Sequence, residues 1–137
     1  MSKLKEYAAV FSVGAIIYSL IEIVSRGYTH WTMALLGGIV LILMYQHFND
    51  YPEESLFKKC LFGCITITCL EFVTGCIVNI LLGWNVWDYS ERHFDLFGQI
   101  CPWFSTVWFF VTIPAVYVCK YLNVIIALLK KELAQSV

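Results

Sequence analysis

Charge is scarce in this chain. Only 14% of its 137 residues are Asp, Glu, Lys or Arg, where an ordinary soluble domain carries about a quarter. A net charge of −1 offers no basic surface for a nucleic-acid backbone, which binding proteins neutralise with clustered Lys and Arg. No GxxxxGK[ST] run is present to cradle nucleotide phosphates, so ATP-driven work would require a separate ATPase or a larger membrane partner. Proline is rare as well, with three residues, and long helices therefore meet few interruptions. The start of the chain, with Lys3, Lys5 and Glu6, runs into apolar sequence without a small-residue cleavage signal, and the first apolar stretch is expected to be retained.

What is abundant is apolar. Sixty per cent of the residues are hydrophobic and the mean hydropathy is +0.73. A hydrocarbon core about 30 Å thick takes roughly 20 apolar residues per helical crossing. The chain offers four such stretches, at about 8–26, 31–48, 57–83 and 103–129. The fold expected is an all-α integral membrane protein, a single domain of four transmembrane helices in the cell membrane, its direct surroundings the lipid bilayer. Six cysteines lie within or beside these stretches, where cysteine behaves as a small buried hydrophobe, so free thiols are expected. Cys60 and Cys64 are one turn apart with no histidine nearby, which gives neither a metal site nor any other cofactor.

Orientation follows from the cations. Lys3, Lys5, Lys58, Lys59, Lys120, Lys130 and Lys131 fall on one side of a four-helix topology, and only Arg26 and Arg92 on the other. The positive-inside rule then places both termini in the cytoplasm and the third connection, 84–102, outside. That connection holds Trp84, Trp87, Asp88, Tyr89, Glu91, Arg92, His93, Asp95 and Gln99, far more chemistry than a hairpin turn needs.

An internal repeat is visible at a constant offset that lays Gly14 on Gly63 and Glu22 on Glu71. Leu36-Gly37 also resembles Phe97-Gly98. Both hairpins start on the same side, which describes a parallel repeat of two helices plus two.

Glu22 and Glu71 are the central candidates, because an acid within a membrane span is costly and rarely faces lipid. Each lies in a polar stripe at helical spacing: Tyr18, Ser19, Glu22 and Arg26 in the first helix, and Cys64, Thr68, Glu71, Gly75 and Asn79 in the third. Brought together between helices 1 and 3, two carboxylates would raise each other's proton affinity. The structural alternative pairs Glu22 with Arg26 four residues on and ties Glu71 to Thr68 or to a hydroxyl from another helix. Asp88 in Trp87-Asp88-Tyr89-Ser90 reads either as a site residue or as a local turn. His93 reads chiefly as an exposed loop residue. Phe97-Gly98-Gln99-Ile100-Cys101-Pro102 permits a chain that dips back towards Glu71, and Pro114 is expected to kink the last helix.

Glu71-Phe-Val-Thr-Gly75, then Asn79, then Trp87-Asp88-Tyr89-Ser90, then Phe94-Asp95-Leu-Phe-Gly98-Gln99-Ile100-Cys101 resembles the family of small membrane proteins described as ABC-transporter type IV or CmpB-like permeases. The likeness is strongest over about 63–108, and Asp95 departs from it where an Asn is expected. The resemblance implies fold and membrane placement more than activity. Three functions remain open. The first is a transporter or transporter subunit, with Glu71 and Glu22 as a carboxylate site for a cation or proton and Tyr18, Arg26, Asn79, Trp87, Asp88, Tyr89 and Gln99 around it. The second is a membrane enzyme acting on a lipid or lipid-linked substrate, with Glu71 or Asp88 as general base and Arg92 or Arg26 holding a phosphate. The third is a non-catalytic partner or sensor subunit. Four helices hardly enclose both a pathway and their own core, so a homodimer is expected.

Overall fold

A computed structural model describes all 137 residues. It is built from helices alone: α1 Lys3–Arg26, α2 Trp31–Asp50, α3 Leu56–Gly75, a π-helical continuation of α3 over Cys76–Leu81, and α4 Pro102–Gln135. Four helical stretches, with α3 and its continuation counted together, are long and apolar enough to cross a membrane. The chain is a multi-pass membrane protein.

Local chemistry sets the ends. Ser2 caps α1, its Oγ accepting from the Lys5 amide at 3.3 Å, and Gly27 closes the same helix in the left-handed region, φ +81°, with its N–H on the Ile23 carbonyl at 2.8 Å. A residue with a side chain would be strained there, which is why the turn is built on glycine. His30 caps α2 through Nδ1, Ser55 caps α3 through Oγ, and Pro102 starts α4 at the position where a missing N–H costs nothing. Hydropathy marks only the apolar middles of the helices. The helices themselves run further, α1 back to Lys3 and α4 on to Gln135, because capping and turn chemistry end a helix while polarity ends only its apolar portion.

The chain forms two compact units, one of 1–53 with 114–137 and one of 54–113. The division within α4 falls at Pro114, and the helix continues through that residue.

The first unit contains the α1–α2 hairpin. Its helices approach closely because Gly14 and Gly37 face each other: a Cβ built on Gly14 would lie 2.5 Å from the Gly37 carbonyl oxygen, and one on Gly37 would collide with Tyr18 Cβ. Small residues permit this approach where lipid supplies no hydrophobic drive between helices. Glu6 is buried at the N-terminal end of α1, accepting from Tyr45 Oη at 2.8 Å and pairing with Lys130 Nζ at 2.7 Å. The C-terminal portion of α4 is thereby tied to α1, and Asn123 Nδ2 ties it to α2 through Asn49 Oδ1 at 2.6 Å.

In the second unit, a Cβ on Gly63 would collide with the Thr112 side chain. The position that receives Gly63 is therefore Thr112, and Gly98 is not the counterpart of Gly37 in this respect. Gly98 serves a turn, φ +72°, against Asp88. All six cysteines are free thiols.

Candidate functional site

The polar stripe of α3 is the foundation of the site in the second unit. From the N-terminal part of α3 onwards, Cys64 Sγ donates to the Ser105 carbonyl at 3.1 Å and Thr68 Oγ1 meets Ser105 Oγ at 2.9 Å. One turn on, Glu71 is 1% exposed. Its Oε1 accepts from Tyr89 Oη at 2.7 Å and its Oε2 from Trp108 Nε1 at 3.0 Å. Each carboxylate oxygen thus has a neutral donor aimed at it, one from the loop and one from α4. Such hydrogen bonds hold a buried carboxyl in place without cancelling a charge on it.

The next turn of the stripe carries the loop. Gly75 is buried under Gln99 and Trp87, and a Cβ there would meet Gln99 Oε1 and lie 2.9 Å from the Trp87 ring. Beyond it the helix widens into its π-helical turn, a feature frequent at functional sites. Asn79 lies within that turn. Its Nδ2 donates to Gln99 Oε1 at 2.7 Å, and its Oδ1 accepts from the Val86 amide at 2.7 Å. Gln99 in turn donates through Nε2 to the Phe97 carbonyl at 2.7 Å, while its own carbonyl accepts from Trp87 Nε1 at 3.0 Å. Asn79, Gln99 and Trp87 therefore form one network that folds the 82–101 loop onto the end of α3.

Within this loop Tyr89 N–H bonds the Gly98 carbonyl at 2.7 Å, and the Gly98 amide bonds Asp95 Oδ2 at 2.8 Å. The second of these bonds needs only a side-chain oxygen, so Asp95 does there what an Asn would also do. Asn85, Phe94 and Phe97 hold positive φ of 49°, 57° and 52°. For the two phenylalanines this is strained backbone, kept by the surrounding contacts. Asp88 makes the local turn, its Oδ1 accepting from the Ser90 amide at 2.9 Å. His93 is exposed.

Of the residues selected from sequence, Glu71, Asn79, Trp87, Tyr89 and Gln99 come together in this unit, with Asp88 at its edge. The dip of 97–102 exists, with Gln99 buried, and its anchors are Asn79 and Gly75. Glu22, Tyr18 and Arg26 belong to the other unit. There Glu22 pairs with Arg26, Nε to Oε2 at 2.7 Å, and the Arg26 guanidinium lies 4.9 Å from the centre of the Tyr28 ring. The helical i,i+4 pairing is thus present for Glu22, while Glu71 is held through Tyr89 and Trp108. Sequence reasoning missed Trp108. The available signal was an indole inside an apolar helix, whose N–H needs an acceptor when buried.

A family model described as Putative ABC-transporter type IV matches residues 10–137. The chain belongs to this family. No curated protein and no solved structure matches it. The family match spans nearly the whole of both units, including the stripe of α3, the loop and α4.

The Asn79 network has a direct test. Asn79→Ala removes the acceptor of the Val86 amide and the donor to Gln99 Oε1, at a cost of about 1–3 kcal/mol. The expected result is a lower unfolding temperature and faster proteolytic cleavage within 84–101, with the rest of the chain resistant. Unaltered cleavage would show that the loop is held by other contacts.

Proposed function

We propose that this member of the family is a transporter or transporter subunit whose intramembrane carboxylate, Glu71, binds a proton or a cation. The observation that carries the reading is the burial of Glu71 in an apolar span between two neutral donors, Tyr89 Oη and Trp108 Nε1. Ionisable groups at such depth mark ion and proton pathways more often than they serve packing. Tyr89 links the carboxyl to the loop, so a change in its occupancy is felt where substrate enters or leaves. Asn79, Gln99 and Trp87 position that loop, and Glu22 with Arg26 supplies a second, paired acid in the other unit. By the distribution of lysines the termini face the cytoplasm and the loop faces outward. Movement against a gradient draws on protons through Glu71 or on a separate ATPase, and two copies of the chain assemble the pathway.

Difference infrared spectroscopy across a pH titration of the purified protein tests this reading. A protonated-carboxyl band that appears and disappears with pH in the wild type is expected to be missing in Glu71→Gln. A band that persists unchanged in that variant, or no titrating band in the wild type, overturns the assignment.

A further inference from the structure

Glu71 is one end of a chain of contacts that leads out to a cation. Tyr89, whose hydroxyl donates to Glu71, stacks on Phe104 with ring centroids 4.7 Å apart and planes within 14° of parallel. Phe104 lies in turn beside Trp108, centroids 6.3 Å apart, and Trp108 donates to the other oxygen of the same carboxylate. The two rings that donate to the carboxyl, Tyr89 and Trp108, are therefore joined to each other through Phe104. At the far end, the Arg92 guanidinium carbon lies 5.4 Å from the centre of the Phe104 ring. The loop holds it there through a tight turn, the Arg92 amide bonding the Tyr89 carbonyl at 2.9 Å.

Rings bordering a carboxylate suit a large, weakly hydrated organic cation. The ring faces attract positive charge through their quadrupoles, most strongly when the cation sheds water easily, and the carboxylate supplies the opposite charge. A small, strongly hydrated metal ion would need several oxygen ligands at once, and no group of three or more His, Cys, Asp or Glu residues is placed to hold a metal. Guanidinium is itself planar, delocalised and weakly hydrated. Its position over Phe104 shows that this ring accepts a cation of that class. Arg92 is exposed, so leaving the ring costs it little.

We infer that the Tyr89–Phe104–Trp108 rings with Glu71 form a binding site for an organic cation, and that Arg92 is a tethered competitor occupying its outer ring face. This rests on the reading of Glu71 as the cation site and names the class of substrate. The incoming cation displaces the Arg92 side chain from Phe104 and approaches the carboxylate along the rings. Removing Arg92 therefore tightens binding, the opposite of what removing a substrate-holding or merely structural residue would do.

Equilibrium dialysis of labelled tetraphenylphosphonium against the full chain in lipid nanodiscs tests the inference. Arg92→Ala is expected to bind about threefold to fivefold more tightly than the wild type, an exposed cation–π contact being of that size. Phe104→Leu is expected to bind about tenfold more weakly, and Phe104→Trp, which keeps the stack, to bind at least as well as the wild type. Equal affinity in wild type, Arg92→Ala and Phe104→Leu overturns the inference, as does the absence of binding in both wild type and Arg92→Ala. Either result leaves the titrating carboxyl band of Glu71 untouched, so this failure is distinct from a failure of the proposed function.

Discussion

Glu71→Leu is expected to destabilise the protein by about 2–5 kcal/mol, because it removes the carboxylate that two donors share, and losing the acceptor of a buried donor costs about 1–3 kcal/mol. Trp108 Nε1 can only donate, and Tyr89 Oη points at the same carboxylate. Glu71→Gln differs sharply. Its amide oxygen still accepts from Trp108, and its amide N–H₂ can donate to the Tyr89 hydroxyl, which turns to accept. The cost expected for the glutamine variant is about 1 kcal/mol or less. Chemical unfolding in detergent measures both. A double variant, Glu71→Leu with Trp108→Phe, should recover part of the loss, since it removes one of the two donors that lose the carboxylate. No recovery would mean that the Trp108 bond carries little of the cost. The glutamine variant is thus the proper reagent for function: it changes the acid chemistry while the cradle stays filled.

The second large effect lies in the other unit, at two adjacent glycines of α2. Gly37→Ala is expected to cost about 2–3 kcal/mol, in the range of overpacked cores. Its Cβ would meet Tyr18 Cβ and, at 2.8 Å, the Gly14 carbonyl oxygen. Those neighbours are fixed to the backbone, so the helices must separate. Gly38→Ala has a different neighbour, the far edge of the Phe11 ring, 2.5 Å away at Cδ2 and Cε2. A ring can swing aside, and alanine adds about 1 kcal/mol of helix propensity over glycine. The net change at Gly38 is expected to be below about 1 kcal/mol. Thermal unfolding of the two single variants decides it. Equal losses at both positions would remove the close approach of Gly14 and Gly37 as the organising contact of this hairpin.

Much of this was legible from residue order. Four long apolar runs require four helices in a bilayer, since hydrocarbon forbids unpaired backbone. The α3 stripe was readable because a helix presents every third and fourth residue to one side: Cys64, Thr68 and Glu71 do meet α4, at Ser105 and Trp108, and Gly75 and Asn79 both meet Gln99. The Glu22–Arg26 pair was readable for the same reason, being four residues apart on one helix.

The partners of Glu71 were not. Tyr89 lies 18 residues and Trp108 37 residues away. No period relates them, and only the folding of the loop onto Asn79 and Gln99 sets Tyr89 over the carboxyl. The Glu6–Lys130 pair, 124 residues apart, is beyond any local rule too. The loop itself depends on positive φ at Phe94 and Phe97, conformations these residues avoid on their own and adopt only when neighbours hold them. By itself the sequence determined that the chain spans the membrane, where the apolar middles of its helices lie and which face of α3 is polar, because these follow from transfer free energy and helical period. Tertiary structure alone decided which donors reach the buried acid and which ring receives the arginine, because those contacts join residues whose distance along the chain says nothing of their distance in space.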